Sequence, residues 1–92
     1  MDFIHEHNRI YLEDTNGKVI AEVTFPEVRE DVVNINHTFV DDSLRGQGIA
    51  GKLMEELADQ LRKEGLKTIV TCSYAVAWFQ KKEQYKDLIV AE

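Results

Sequence analysis

The sequence predicts a mixed α/β (α+β) domain in which an antiparallel β-meander leads into a βαβ unit and a short C-terminal helix. Apolar and polar residues alternate with period two up to Val40, and a glycine-dense turn follows at Gly46-Gln47-Gly48-Ile49-Ala50-Gly51. Directly after that turn, apolar positions begin to recur with helical spacing, and a β-rich run closes the unit. A strand and a later strand joined through a helix pair in parallel, which gives the βαβ crossover.

Taken in order, Phe3 to Leu12 mixes short β-favouring patches with polar residues, and Arg9 to Glu13 is the better strand. Asp14-Thr15-Asn16-Gly17 reads as a turn, because Asn-Gly between apolar runs tolerates positive φ. From Lys18 to Phe25, Val19, Ala21, Val23 and Phe25 face one way while Glu22 and Thr24 face the other, so one face is buried. Pro26 ends that strand, and Glu27 to Asp31 is expected to be a charged loop. Val32 to Val40 is expected as a third strand, with Val33, Ile35, His37 and Phe39 on one face and Asn34, Asn36 and Thr38 on the other.

Ile49, Leu53, Leu57 and Leu61, flanked by Ala50, Met54 and Ala58, form the apolar stripe of a helix of about four turns. Glu55, Glu56, Asp59, Arg62 and Lys63 fall outside the stripe, and Gly65 closes the helix. Lys67 to Ser73 is expected as a fourth strand, parallel to the third. Ala75 to Lys82 then forms a short second helix whose Trp78 and Phe79 belong to the core, and Tyr85 to Val90 is a turn plus a short extended piece.

The chain has 92 residues, which is expected to make a single domain over residues 1–92. A chain of that size buries only about 60–65% of its unfolded surface, so its stability is modest. With 43% hydrophobic and 30% charged residues it has the composition of a globular domain. No apolar run approaches the roughly 18 residues that span a bilayer, and Met1 to Glu6 lacks a basic n-region and an apolar h-region, so a cytoplasmic protein is expected, with no membrane partner.

The single cysteine, Cys72, excludes an intramolecular disulfide and a Cys-cluster metal site. A formal net charge of −6 argues against nucleic acid, whose binders gain affinity from clustered Lys and Arg. An anion must then be held locally, by backbone donors and a few cations.

The glycine turn fits three phosphate-binding patterns. Gly46-x-Gly48-x-x-Gly51 satisfies the dinucleotide fingerprint, but the acid expected about twenty residues on is replaced by Thr71-Cys72-Ser73. Gly46-x-x-x-x-Gly51-Lys52 is a P-loop except that Leu53 stands where the Mg²⁺-binding hydroxyl belongs. The third match, Arg45-x-x-Gly48-x-Ala50, resembles the Arg/Gln-x-x-Gly-x-Gly/Ala motif of the GNAT superfamily of acetyl-CoA-dependent N-acetyltransferases.

The likeness extends nearly end to end to the small single-domain GNAT-like proteins of about this size. It runs through Ile35-Asn36-His37-Thr38-Phe39-Val40 before the loop and Cys72-Ser73-Tyr74-Ala75 after the helix. The resemblance implies a GNAT-like fold and acetyl-CoA as acyl donor, with no metal. It further implies that Arg45, Gly46, Gln47, Gly48, Ile49 and Ala50 grip the coenzyme A pyrophosphate, with backbone N–H groups of Gln47 to Ala50 as donors, while Phe39 and Val40 offer main-chain partners to the pantetheine arm.

His37 and Cys72 stand near the ends of the two strands joined by the crossover, where ligands of open α/β sheets collect. The likeness places both beside the acetyl group. His37 is then a base toward an acceptor amine or thiol, and Cys72, deprotonated by His37, a nucleophile that accepts the acetyl group. Tyr74 is the candidate acid toward the leaving thiolate. Each has a plainer reading beside this one: His37 as a hydrogen-bonded core residue, Cys72 as a small buried hydrophobe, and Tyr74 as packing.

His5-Glu6-His7 reads as a solvated strand end, and Lys81 and Lys82 as surface cations within reach of the coenzyme's phosphates. The acceptor, a small molecule or a protein amine, is not specified by the sequence. A non-catalytic acyl-CoA-binding module is the competing reading, motivated by the absence of the N-terminal helices that wall the acceptor pocket in full-sized family members.

Overall fold

The computed structural model describes residues 2–44 and 46–90. The meander begins with β1 (Ile4–Glu6), β2 (Arg9–Glu13) and β3 (Val19–Thr24). Asn8, at φ 64°, turns the chain between β1 and β2, and its side-chain amide donates to the Phe25 carbonyl at 2.7 Å. Asp14 organises the next turn by accepting the N–H groups of Asn16 and Lys18 at 2.8 and 3.0 Å, while Gly17 supplies the positive φ of 83°. The alternation expected in β3 holds, since Ala21, Val23 and Phe25 are buried.

Two expectations for the next stretch are corrected. Glu27 to Asp31 is not all loop: Glu27–Arg29 forms β4, which pairs antiparallel with β5 (Val32–Ile35) through a turn in which Asp31 takes φ 62°. The expected continuous strand from Val32 to Val40 breaks at Asn36 into β5 and β6 (His37–Val40), which lie in different sheets.

The physical cause of that break is where Asn36 finds its partners. Its N–H donates to the Thr24 carbonyl at 3.3 Å and its side-chain oxygen accepts the Thr24 hydroxyl at 2.6 Å, so it is drawn toward β3. The Ile35 carbonyl turns the other way and accepts the N–H groups of Thr71 and Cys72, each at 3.1 Å. A one-residue interruption moves every later side chain to the opposite face. Val33 and Ile35 remain buried, whereas His37 and Phe39, expected beside them, are exposed.

Two sheets result: an antiparallel one in the order β1-β2-β3-β6, and a mixed one in the order β4-β5-β7. The helix α1 (Ile49–Glu64) connects β6 to β7 (Lys67–Val70), and β7 is parallel to β5, which bears out the βαβ unit. Gly65 ends α1 at φ 73°, with its N–H on the Arg62 carbonyl.

The fourth strand is three residues shorter than expected, since it stops at Val70. The second helix, α2, runs Ser73–Gln80, two residues earlier at both ends than expected, with Cys72 as its N-cap. A 3-10 turn at Glu83–Leu88 follows, and Ile89 then bridges Thr68 in parallel.

The core lies where α1 covers the sheets. Leu53, Met54, Leu57, Ala58 and Leu61 pack with Ile10, Leu12, Ala21, Val23, Val33 and Ile35, and Trp78, Phe79 and Leu88 close it, as expected for Trp78 and Phe79. Leu57 is 0% exposed. Leu57→Ala is expected to cost about 2–5 kcal/mol through lost burial and the cavity left behind, a large share of a small domain's stability. Urea unfolding followed by circular dichroism checks this; an unchanged midpoint contradicts the placement of α1.

Candidate active site

Beyond Ile35 the two sheets part. β6 pairs with β3 on one side and is the outer strand of its sheet, while β5 stays with β7. Thr38 lies opposite Val23 and Val40 opposite Ala21, so both share the face that α1 covers. His37 lies opposite Thr24 and Phe39 opposite Glu22, on the face turned away from α1.

Cys72 sits where the mixed sheet gives way to α2. Its thiol is 3.5 Å from the Thr38 hydroxyl, a contact that spans the gap between the sheets. Burial pushes the Cys72 thiol up, but hydrogen bonds from the Thr38 hydroxyl and the backbone N–H groups of Ala75, Tyr74 and Thr38 together outweigh it, and the thiol titrates below its ordinary value.

His37 has different company. Its Nε2 is 3.7 Å from a Glu22 carboxylate oxygen, and the other oxygen of Glu22 accepts a hydrogen bond from Arg9 Nε. The Arg9 guanidinium in turn lies 3.9 Å above the Tyr11 ring. His37 and Cys72 therefore stand on opposite faces of β6, and no hydrogen bond joins them among the described residues. The side chain of Tyr74 is exposed in the first turn of α2, and its partial burial raises the pKa of the phenol.

The glycine loop leaves β6 through Asp41, whose N–H continues the ladder to the Ile20 carbonyl at 2.8 Å. The Asp41 carboxylate accepts the Ser43 hydroxyl at 2.6 Å and the Ser43 N–H at 3.1 Å, and these bonds hold it below the usual carboxylate range. A 3-10 turn at Asp42–Leu44 follows; Arg45 lies outside the described residues. Gly46 and Gly48 take φ 81° and 69°, conformations that favour glycine.

Gly48 is the N-cap of α1 and contributes no side-chain cap, and the first turn holds no acid. Among the described residues, the first bond of the helix runs from the Lys52 N–H to the Gly48 carbonyl at 3.1 Å, and the N–H groups of Ile49, Ala50 and Gly51 precede it. The Gln47 N–H is already given to the Leu44 carbonyl at 3.3 Å. Uncapped N–H groups at the positive end of a helix of 16 residues suit an anion.

The remaining candidates lie elsewhere. The two ring nitrogens of His5 bond Gln60 and Glu56 on α1, and His7 pairs with Glu27 at 3.0 Å. These residues line an open cleft of about 840 Å³ with Glu30, Asp31 and Glu64, where β5 begins and α1 ends. Lys82 lies 5.7 Å from the Trp78 ring. Among the described residues, no group of three His, Cys, Asp or Glu side chains is placed to hold a metal ion, and no helix is long and apolar enough to cross a membrane.

Sequence reasoning missed Thr38 and Glu22. The available signal was Asn36, a residue depleted in strands, in the middle of an otherwise alternating run. Reading it as a break exchanges the two faces and turns Thr38 toward Cys72.

The family model described as GCN5-related N-acetyl-transferase matches residues 9–88. A GCN5-like protein of Staphylococcus aureus, solved by NMR, is 32% identical and superposes with a TM-score of 0.81 over 99% of this chain and 89% of its own. A GNAT family N-acetyltransferase from Escherichia coli in complex with CoA is 29% identical, with a TM-score of 0.58 over 67% of this chain and 38% of its own. The ribosomal-protein-S18-alanine N-acetyltransferase from Escherichia coli shares the fold at 23% identity, with a TM-score of 0.64 over 88% of this chain and 52% of its own. No match to a curated protein was found.

Proposed function

The chain belongs to the GCN5-related N-acetyltransferase (GNAT) family, and from that premise we propose that residues 1–92 act as one domain that moves an acetyl group from acetyl-CoA to an amine. The observation that carries this reading is the uncapped, glycine-flanked start of α1, which lies at the end of the outer strand β6. The CoA complex of the Escherichia coli relative supports the same ligand.

In this reading the pyrophosphate sits on the N–H groups of Gly48 to Gly51, with Gly46 and Gln47 shaping the approach and Arg45 supplying a cation. The free edge of β6 offers the main chain of Val40 to the extended pantetheine arm, as a strand edge does for a peptide, while Phe39, whose main chain shares the β3 side with Asp41, borders the arm. That path leads the thioester to the gap spanned by Thr38 and Cys72.

The opposite faces of β6 give the two chemical groups separate tasks. His37, on the outer face beside Glu22, takes a proton from an acceptor ammonium arriving from that side, and the freed amine attacks the thioester carbonyl. Cys72, on the α1 side, takes the acetyl group in a covalent route. Its thiolate attacks the carbonyl carbon and the bond to the coenzyme's sulfur breaks; the departing thiolate then regains a proton, with Tyr74 as the donor. The proton lost by Cys72 goes to solvent, since His37 lies on the other face.

His37→Gln tests the direct route. The variant is expected to bind acetyl-CoA as tightly as the unaltered protein and to lose about 100-fold or more in kcat/KM toward an amine acceptor found by screening. Full activity in that variant removes His37 as base. Acetyl-CoA binding without turnover on a broad amine panel favours a non-catalytic acyl-CoA-binding module instead.

A further inference from the structure

We propose that Thr38 is a positioning residue for acyl transfer: its hydroxyl, reaching from β6 across the gap between the sheets, fixes the Cys72 sulfur where the thioester arrives. The inference rests on the acyl-transfer reading above and adds to it a residue that neither the sequence pattern nor the family match assigns.

The main-chain bonds of Cys72 itself hold the residue in place, and the backbone N–H groups of Ala75, Tyr74 and Thr38 face its sulfur. The Cys72 N–H is given to the Ile35 carbonyl at 3.1 Å and its carbonyl accepts the Val76 N–H at 3.0 Å, so both polar groups serve to join β5 to α2. Rotation about χ1 has three staggered wells that send the sulfur in different directions, and the N–H groups that face it together with the Thr38 hydroxyl select among them. Thr38 Oγ1, at 3.5 Å, is the side-chain hydrogen-bond partner of the sulfur.

Thr38 is suited to this task. It sits in a strand whose register against β3 runs from Ala21↔Val40 to Thr24↔His37, and its β-branch restricts its own χ1. A hydroxyl accepts from a thiol and donates to a thiolate, so the contact survives ionisation. The lowered titration of Cys72, to which the Thr38 hydroxyl contributes, agrees with this geometry. His37 cannot substitute, because the pleat turns it to the other face.

The test is the pH dependence of Cys72 alkylation by iodoacetamide in the unaltered protein, Thr38→Val and Thr38→Ser, with no coenzyme present. Thr38→Val keeps the shape and the β-branch but removes the hydroxyl. Loss of one charge-assisted bond lowers the thiolate fraction at neutral pH by about tenfold, and the higher nucleophilicity of a more basic thiol recovers about threefold. A net rate about threefold lower at neutral pH, with the midpoint moved upward, is expected for Thr38→Val, and recovery for Thr38→Ser.

Superimposable profiles for Thr38→Val and the unaltered protein overturn the proposal. Should Thr38→Val not fold, the Thr38 methyl resonance of the unaltered protein is followed instead: it is expected to shift with the same midpoint as the Cys72 Cβ resonance, and a methyl that does not respond overturns the proposal equally. Alkylation needs no acetyl group, so absence of acetyl transfer in the unaltered protein counts against the acyl-transfer reading and leaves this result readable.

Discussion

Gly48→Asp is expected to weaken acetyl-CoA binding by about 100-fold or more while leaving the protein folded. Gly48 occupies the left-handed region at φ 69°, which Asp tolerates better than most residues, at a strain of about 1 kcal/mol. A carboxylate at the positive end of α1 returns part of that strain, since negative charge there is worth about 0.3–1 kcal/mol. The same charge repels a pyrophosphate and competes for the N–H groups of Ile49 to Gly51. Loss of one or two charge-assisted hydrogen bonds at about 1.5–3 kcal/mol each gives the expected factor.

Gly48→Asn separates charge from shape, because it carries the same strain without the repulsion; a loss nearer tenfold is expected. Titration calorimetry with acetyl-CoA measures both, and thermal melts verify folding. Equal affinity in Gly48→Asp and the unaltered protein contradicts the placement of the pyrophosphate.

Cys72→Ala is expected to abolish the acetyl adduct that intact mass spectrometry detects after incubation with acetyl-CoA. The adduct in the unaltered protein is expected to form faster as pH rises and to level off at a lower pH than for an ordinary thiol, because a depressed pKa places the thiolate at lower pH. An adduct that persists in Cys72→Ala lies on another residue and removes the covalent route. Loss of the adduct with amine acetylation intact assigns turnover to the direct route through His37.

The fold was legible wherever one face is buried over several residues. Ala21, Val23 and Phe25 announce β3, and Leu53, Leu57 and Leu61 announce α1, because burial on one side writes its period into the composition. The glycine loop was legible for a different reason. Gly46 and Gly48 are needed for their positive φ, and a long helix follows with no acid in its first turn.

The relation between His37 and Cys72 was not legible. It depends on Asn36, which leaves the strand pattern by one residue because its N–H and its side chain find their partners on Thr24 of β3. Alternation on either side of Asn36 is intact, so the exchange of faces is marked only by an asparagine, and Asn34, which stays within β5, carries the same mark. Cys72 as a helix N-cap was equally hidden, since Thr71-Cys72-Ser73 has strand-like composition and its backbone is captured by the Ile35 carbonyl, a partner far away in sequence.

The most direct measurement is a titration of the ¹⁵N-labelled protein with acetyl-CoA, followed by amide resonances. The expected perturbations concentrate on Gly46 to Gly51, on Phe39 and Val40, and on Cys72 to Ala75, while His7, Glu27 and Glu64 in the acidic cleft stay in place. Perturbations confined to that cleft, or none at millimolar ligand, contradict an acetyl-CoA site between β6 and α2.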